Sequence, residues 1–219
     1  MQAPLLVIFD CDGVLVDSEA ISNEVLAQML SAAGLPTTLA QARREYQGLL
    51  LSEVASRVEA KLGQVLPSGW IEGYERERND AFRGGLRAIA GAHEVVHRVS
   101  GAGVKVCVAS QGRLEKTRFT LGLTGLTSLF AADALFSAES VPRGKPHPDL
   151  FLHAAQTMQV EAARCTVVED TASGITAAVA AGMCALGYAA DSDAQALRGA
   201  GAAAIFHSHA ELPRLLGIE

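Results

Sequence analysis

Residues 8 to 18 read IFDCDGVLVDS, and two aspartates, Asp10 and Asp12, stand two apart at the end of an apolar run. Like charges that close repel, so something compensates them. At a strand end, alternation turns Asp10 and Asp12 to the same ligand-facing side and Cys11 to the core. A divalent cation is the common compensator. Oxygen donors of this kind suit magnesium, which keeps waters and is usually completed by phosphate. Gly13 follows directly, lets the backbone turn sharply and lets amides approach an anion. An Asp-x-Asp-Gly also occurs as an ordinary turn, so this motif alone leaves both readings open.

Three further stretches place chemistry at predicted strand ends. Ser110 closes VCVAS and is followed by Gln111, Gly112 and a helix start, where a hydroxyl and free amides can hold a phosphate oxygen. Taken alone, Ser110 reads more simply as a helix cap. Lys145 lies in RGKPHPDLF between Gly144 and Pro146, a rigid segment able to aim one ammonium at an anion. A solvated surface lysine is the plainer reading. Glu169 and Asp170 end CTVVED, a second acidic pair beyond a buried-looking strand, and lead straight into a helix start at TASGI.

These residues need a scaffold that brings strand ends together. Leu5 to Phe9 is continuously apolar, as in a strand covered on both faces. Similar runs recur at 104 to 110, 134 to 138, 165 to 170, 184 to 188 and 202 to 206. Most intervals between them show helical periodicity, among them HEVVHRVSGAG, PDLFLHAAQTMQV and ASGITAAVAAGM, the last with a small-residue face of Gly174, Ala177, Ala178 and Ala181. Alternating strand and helix predicts an α/β fold, a parallel sheet with helices on both faces.

The interval from Asp17 to Arg87 breaks this alternation. It contains three helix-like patterns, SEAISNEVLAQMLSAAG, LSEVASRVEAKLG and SGWIEGYERERNDAFRGG, and no strand. An all-helical insert over 17–87 is expected, with the core formed by 1–16 and 88–219. Because the insert leaves after the first strand, it is expected above the carboxyl ends of the strands, where open α/β sheets bind ligands. That is the place of a lid, with Gly84, Gly85 and 13–17 as candidate hinges, although glycines there also serve as plain helix stops.

The combination of strand-end motifs resembles the haloacid dehalogenase superfamily, in its phosphatase and β-phosphoglucomutase-like branch with a small helical cap. DCDGVLVDS, VCVAS, GKPHPDLF and VVEDTASGI are similar to its four motifs, and the likeness covers nearly the whole chain. The resemblance implies a Rossmann-like core and a cap that selects the substrate. It further implies Asp10 as nucleophile and Asp12 as general acid and base, with Ser110, Gln111 and Lys145 as phosphate-binding residues. Magnesium would be held by Asp10, Asp170 and the backbone carbonyl of Asp12, with Glu169 as a direct or water-mediated partner. Phrases such as CDGVLVDSE and LFLHAAQTMQV are similar to those of bacterial sugar-phosphate phosphatases. The implied reaction is hydrolysis of a small sugar or sugar-acid phosphate through an aspartyl phosphate. Mutases of the same branch carry a cap arginine in a Gly-x-Ser-Arg pattern, and the corresponding QGLLLSEV has none. A non-catalytic sugar-phosphate sensor is the third reading, but both Asp10 and Asp12 are retained.

The bulk properties agree with a small-molecule enzyme. A chain of 219 residues, 49% hydrophobic and 19% charged, can bury a full core. The net charge of −6 is mild and interspersed, with no basic block for nucleic acid or a membrane anchor. The four cysteines, Cys11, Cys107, Cys165 and Cys184, form no CxxC pair and read as reduced core thiols. MQAPLLVIFD has no basic start and too short an apolar run for a signal or span, so a cytoplasmic protein is expected, as a monomer or weak homodimer. His207 and His209 read as a solvated loop, His147 as a rim residue, Trp70 and Tyr74 as packing residues, and YERERND as a solvated helix face.

Overall fold

Strand β1, Leu6–Phe9, is LVIF, and its four side chains are fully buried. Consecutive strand residues point to opposite faces, so burial of all four means that the sheet is covered on both sides. In the computed structural model, which describes residues 3–218, β1 is joined by β2 (Lys105–Ser110), β3 (Leu135–Ser137), β4 (Cys165–Glu169), β5 (Cys184–Tyr188) and β6 (Ala204–Phe206). The order across the sheet is β3-β2-β1-β4-β5-β6. Every pairing is parallel, and Ile8 lies opposite Cys107 on β2 and Val167 on β4. This is a Rossmann-like sheet. Its strand order reverses beside β1, which opens a crevice at the carboxyl ends of β1, β2 and β4. Leu5, expected in the first strand, lies outside it and is half exposed.

By contact the chain divides into two compact units, one running to Asp17 and resuming at Ala88, the other Ser18–Arg87. Asp17 thus belongs to the sheet-bearing unit, one residue past the expected boundary. The second unit holds four helices: α1 (Glu19–Ala32), α2 (Leu39–Tyr46), α3 (Leu51–Leu62) and α4 (Trp70–Gly85). Helix α2 is one more than the three patterns expected. Only Ala42 and Tyr46 of LAQARREY are buried, a spacing of four with nothing before it, too sparse a stripe to register as periodic. Its start is set instead by Thr38, which accepts from Gln41 N while Gln41 Oε1 accepts from Thr38 N. The unit has its own core, in which Leu26, Leu30, Tyr46, Val54, Val58 and Tyr74 meet. The supposedly solvated YERERND face needs correction. Arg78 is buried, its guanidinium lying over the rings of Tyr74 and Phe82, because residues four apart share a helix face.

The sheet-bearing unit carries α5 (Ala92–Gly101), α6 (Leu114–Leu123), α7 (Asp149–Thr157), α8 (Ala172–Ala180), α9 (Ala194–Gly199) and α10 (Leu212–Leu216). One face of the sheet, including Leu6, Ile8, Cys107 and Val167, packs with Leu150, Phe151 and Ala154 of α7 and with Ile175, Ala177 and Ala178 of α8. All four cysteines are free thiols. No helix among the described residues is long and apolar enough to cross a membrane.

Candidate active site

The β1 ladder continues one residue past the strand, where Asp10 N donates to Val168 O at 2.9 Å. Asp10 therefore stands at the crevice edge, 6% exposed, while Cys11 beside it is fully buried. The chain then makes a single closed turn. Cys11 O accepts from Leu15 N and Val16 N at 2.9 and 3.0 Å, and Val16 O accepts from Gly13 N at 3.0 Å. Gly13 is required on two counts. Its φ is +77°, and a Cβ there would come within 2.2 Å of Asp170 Oδ2. Only glycine lets the Asp170 carboxylate, itself 7% exposed, lie against the turn that carries Asp12.

Lys145 reaches the crevice from the segment after β3. Its ammonium has three donors and three acceptors: Asp10 Oδ1 at 2.5 Å, Glu169 Oε1 at 2.6 Å and Ala109 O at 3.2 Å. Burial opposes this charge, but Asp10 and Glu169 outweigh it and hold Lys145 protonated, above its ordinary range. Burial, the largest influence on Asp10, pushes its carboxyl up; Lys145 pulls it down, and Glu169 and Asp12 raise it further. Glu169 is gripped from its other side, where Oε2 accepts from Thr171 N at 2.9 Å and from the Thr171 hydroxyl at 2.8 Å. Both its oxygens are thus engaged, which makes it a holder of Lys145. This close fit depends on Gly174 in the first turn of α8, where a Cβ would fall 1.8 Å from Glu169 Oε1.

Ser110, at the end of β2, is buried, and its Oγ accepts from Gly112 N at 3.1 Å. Gln111 follows, and its side chain is used within the protein. Its Oε1 accepts from Lys145 N at 2.9 Å and ties the β2 loop to the lysine segment, an approach possible because Gly144 has no Cβ.

Two residues of this neighbourhood were not signalled as functional by the sequence. Lys116, third residue of α6, forms an ion pair with Asp12 Oδ1, and the two side chains are 13% and 16% exposed. A cation in the first turn of a helix sits against the macrodipole, and that misfit is the signal that marks it. His209 was expected in a solvated loop. The ring is instead 1% exposed, with Nε2 at 2.7 Å from Val14 O and its face stacked on Tyr188 at 4.7 Å. Its neighbour His207 does stay near the surface, with Nδ1 2.8 Å from Ala189 O.

The donors also bear on a metal. Among the described residues no three His, Cys, Asp or Glu side chains are grouped to hold an ion unaided. The set implied for magnesium is two carboxylates, Asp10 and Asp170, with the backbone carbonyl of Asp12, all hard oxygen donors. The electrostatics fit it. Asp10, Asp12, Glu169 and Asp170 bring four carboxylates to this crevice, a surplus of acid over Lys116 and Lys145, the two ammonium groups that pair with Asp12 and with Asp10 and Glu169. A divalent cation would balance that surplus.

Comparison with known proteins bears on this arrangement directly. The family model described as haloacid dehalogenase-like hydrolase matches residues 5–182. The 6-phosphogluconate phosphatase of Escherichia coli (strain K12) is 32% identical over 186 residues, covering 84% of this chain and 82% of that protein. A haloacid dehalogenase family hydrolase from Deinococcus radiodurans R1, solved with bound phosphate and sodium, superposes with a TM-score of 0.82 at 33% identity, covering 99% of this chain and 98% of that one. A β-phosphoglucomutase-type structure from Thermotoga maritima gives a TM-score of 0.79 at 27% identity, with 99% of each chain covered. A strand-end acidic site on a Rossmann-like sheet, matched by a family model over most of the chain, means that this protein belongs to the haloacid dehalogenase-like hydrolases.

Proposed function

We propose that the protein is a magnesium-dependent phosphoric monoester hydrolase acting on a sugar or sugar-acid phosphate through an aspartyl phosphate formed on Asp10. The observation that carries this reading is the bridge made by Lys145 between Asp10 and Glu169 at the end of the central strand. It sets a buried cation beside the one carboxylate best placed to attack, so that an incoming phosphate dianion meets a positive charge first.

Ser110 and Lys145 hold the phosphoryl oxygens. Asp10 attacks phosphorus, the ester P–O bond breaks, and Asp12 gives its proton to the leaving alkoxide. Water then attacks the aspartyl phosphate while Asp12 takes a proton back, releasing inorganic phosphate and restoring Asp10. Asp10, Asp170 and the Asp12 carbonyl would hold magnesium, which would supply neutralisation of the anionic charges. Glu169 keeps Lys145 aimed, and Lys116 keeps Asp12 aimed. The helical unit is the cap that selects the alcohol. The sugar-acid class is supported by the name of the 6-phosphogluconate phosphatase relative.

Release of inorganic phosphate from a panel of sugar and sugar-acid phosphates tests the proposal. Turnover should require magnesium and vanish in Asp10→Asn, whose amide fills the same volume but cannot form the acyl phosphate. An isomerised sugar phosphate without phosphate release would replace hydrolysis with mutase activity. Tight binding without turnover would mean a sensor.

A further inference from the structure

Four carbonyls in the turn from Asp10 to Val16 accept hydrogen bonds. Cys11 O and Val16 O are used within the turn, and Leu15 O accepts from Ile89 N at 2.9 Å. Val14 O is met by a side chain from far along the chain, His209 Nε2 at 2.7 Å. A carbonyl can only accept, so Nε2 carries the proton and the tautomer is settled. Nδ1 is then a buried acceptor, and it has no hydrogen-bond partner among the described residues.

A phenylalanine or leucine would fill this space without leaving an acceptor unmet. The ring is wedged between Tyr188, whose plane lies 21° from its own, and Gly91, where a Cβ would come within 3.1 Å of the His209 Cβ. What the imidazole adds to that packing is the single N–H aimed at Val14. Val14 lies two residues beyond Asp12 on the one closed turn. We propose that His209 is a positioning residue for the reaction, its Nε2–H holding the turn so that Asp12 keeps its place beside Asp10. This rests on the acid–base role given to Asp12 above.

The test uses two replacements in the full chain. His209→Gln keeps an N–H donor of similar reach, whereas His209→Phe keeps volume and stacking without one. A misplacement of about 1 Å can cost about 10²-fold in rate. The phenylalanine variant should therefore lose about that factor in kcat with KM unchanged, and glutamine should restore most of it. If phenylalanine prevents folding, His209→Asn, too short to reach Val14, takes its place with the same expected loss. A second readout needs no activity: hydrogen exchange at the Gly13, Leu15 and Val16 amides should quicken in the donorless variants and stay slow with glutamine. Equal kcat and equal exchange with and without the donor would overturn the proposal. Fast exchange in a protein that hydrolyses no phosphate would retain the His209 latch and refute the hydrolase reading instead.

Discussion

The proposed reaction places two demands on Asp12, to protonate a leaving alkoxide and then to deprotonate water, and both require a fixed direction towards the reacting oxygen. The Lys116 ion pair supplies that direction from the first turn of α6. Replacing Lys116 with Met keeps length and removes the charge. We expect kcat on alkyl sugar phosphates to fall by about 10², the lower end of what general acid–base help provides. Activated aryl phosphates, whose leaving group needs no proton, should be affected far less. Steady-state kinetics on both substrate types checks this, and equal losses would place Lys116 in phosphate binding or in the fold.

The strand-to-helix junction β4–α8 shows how an element is tuned to a site. Thr171 caps α8 by accepting from Gly174 N at 3.1 Å, and the same threonine donates to Glu169. Gly174 lets that carboxylate lie over the helix start. A Gly174→Ala change must push Glu169 off Lys145 or open the junction. We expect a stability loss of about 1–3 kcal/mol, the usual cost of overpacking, together with weaker inhibition by inorganic phosphate. Gly84 in α4 has nothing within 4 Å of an added Cβ. There the same substitution should stabilise by about 0.5–1 kcal/mol, since glycine is disfavoured in helices. Urea melts of the two variants should move in opposite directions.

At the scale of the whole molecule, His209 links folding to pH. Burial, the larger influence, lowers its pKa below the ordinary 6.5, against the smaller upward pull of the Val14 bond. Between that lowered value and 6.5 the unfolded chain binds a proton that the folded protein excludes. Stability therefore rises with pH across this window, is complete above it, and is lost as pH falls below 6.5. The slope from one group is at most about 1.4 kcal/mol per pH unit. From pH 7 to 5 the urea midpoint of the parent should drop relative to that of His209→Gln. Taking the difference cancels the contribution of Asp10, common to both proteins. Parallel curves would show that His209 does not titrate on unfolding.

Local sequence was enough to reveal the six strands and most helices around the sheet, because each strand is a short apolar run between turn residues and a parallel, doubly covered sheet leaves no wet face to blur it. Asp10, Asp12, Ser110, Lys145, Glu169 and Asp170 were visible for a related reason: crevice residues of this fold lie at strand ends and in the loops beyond them, where a polar residue interrupts an apolar run. Helix α2 escaped because two buried residues make no period. The partners were decided only in three dimensions. Nothing local tells Gln111 that Gly144 will leave room for its amide, or tells Lys116 that Asp12 lies beside it. His209 and Val14 are 195 residues apart, and only the closing of the sheet through β5 and β6 brings the ring against Tyr188 and under the Asp12 turn. Residue type follows from the chemistry a position must do, whereas the partner of a side chain follows from packing across the sheet, which no short window of sequence contains.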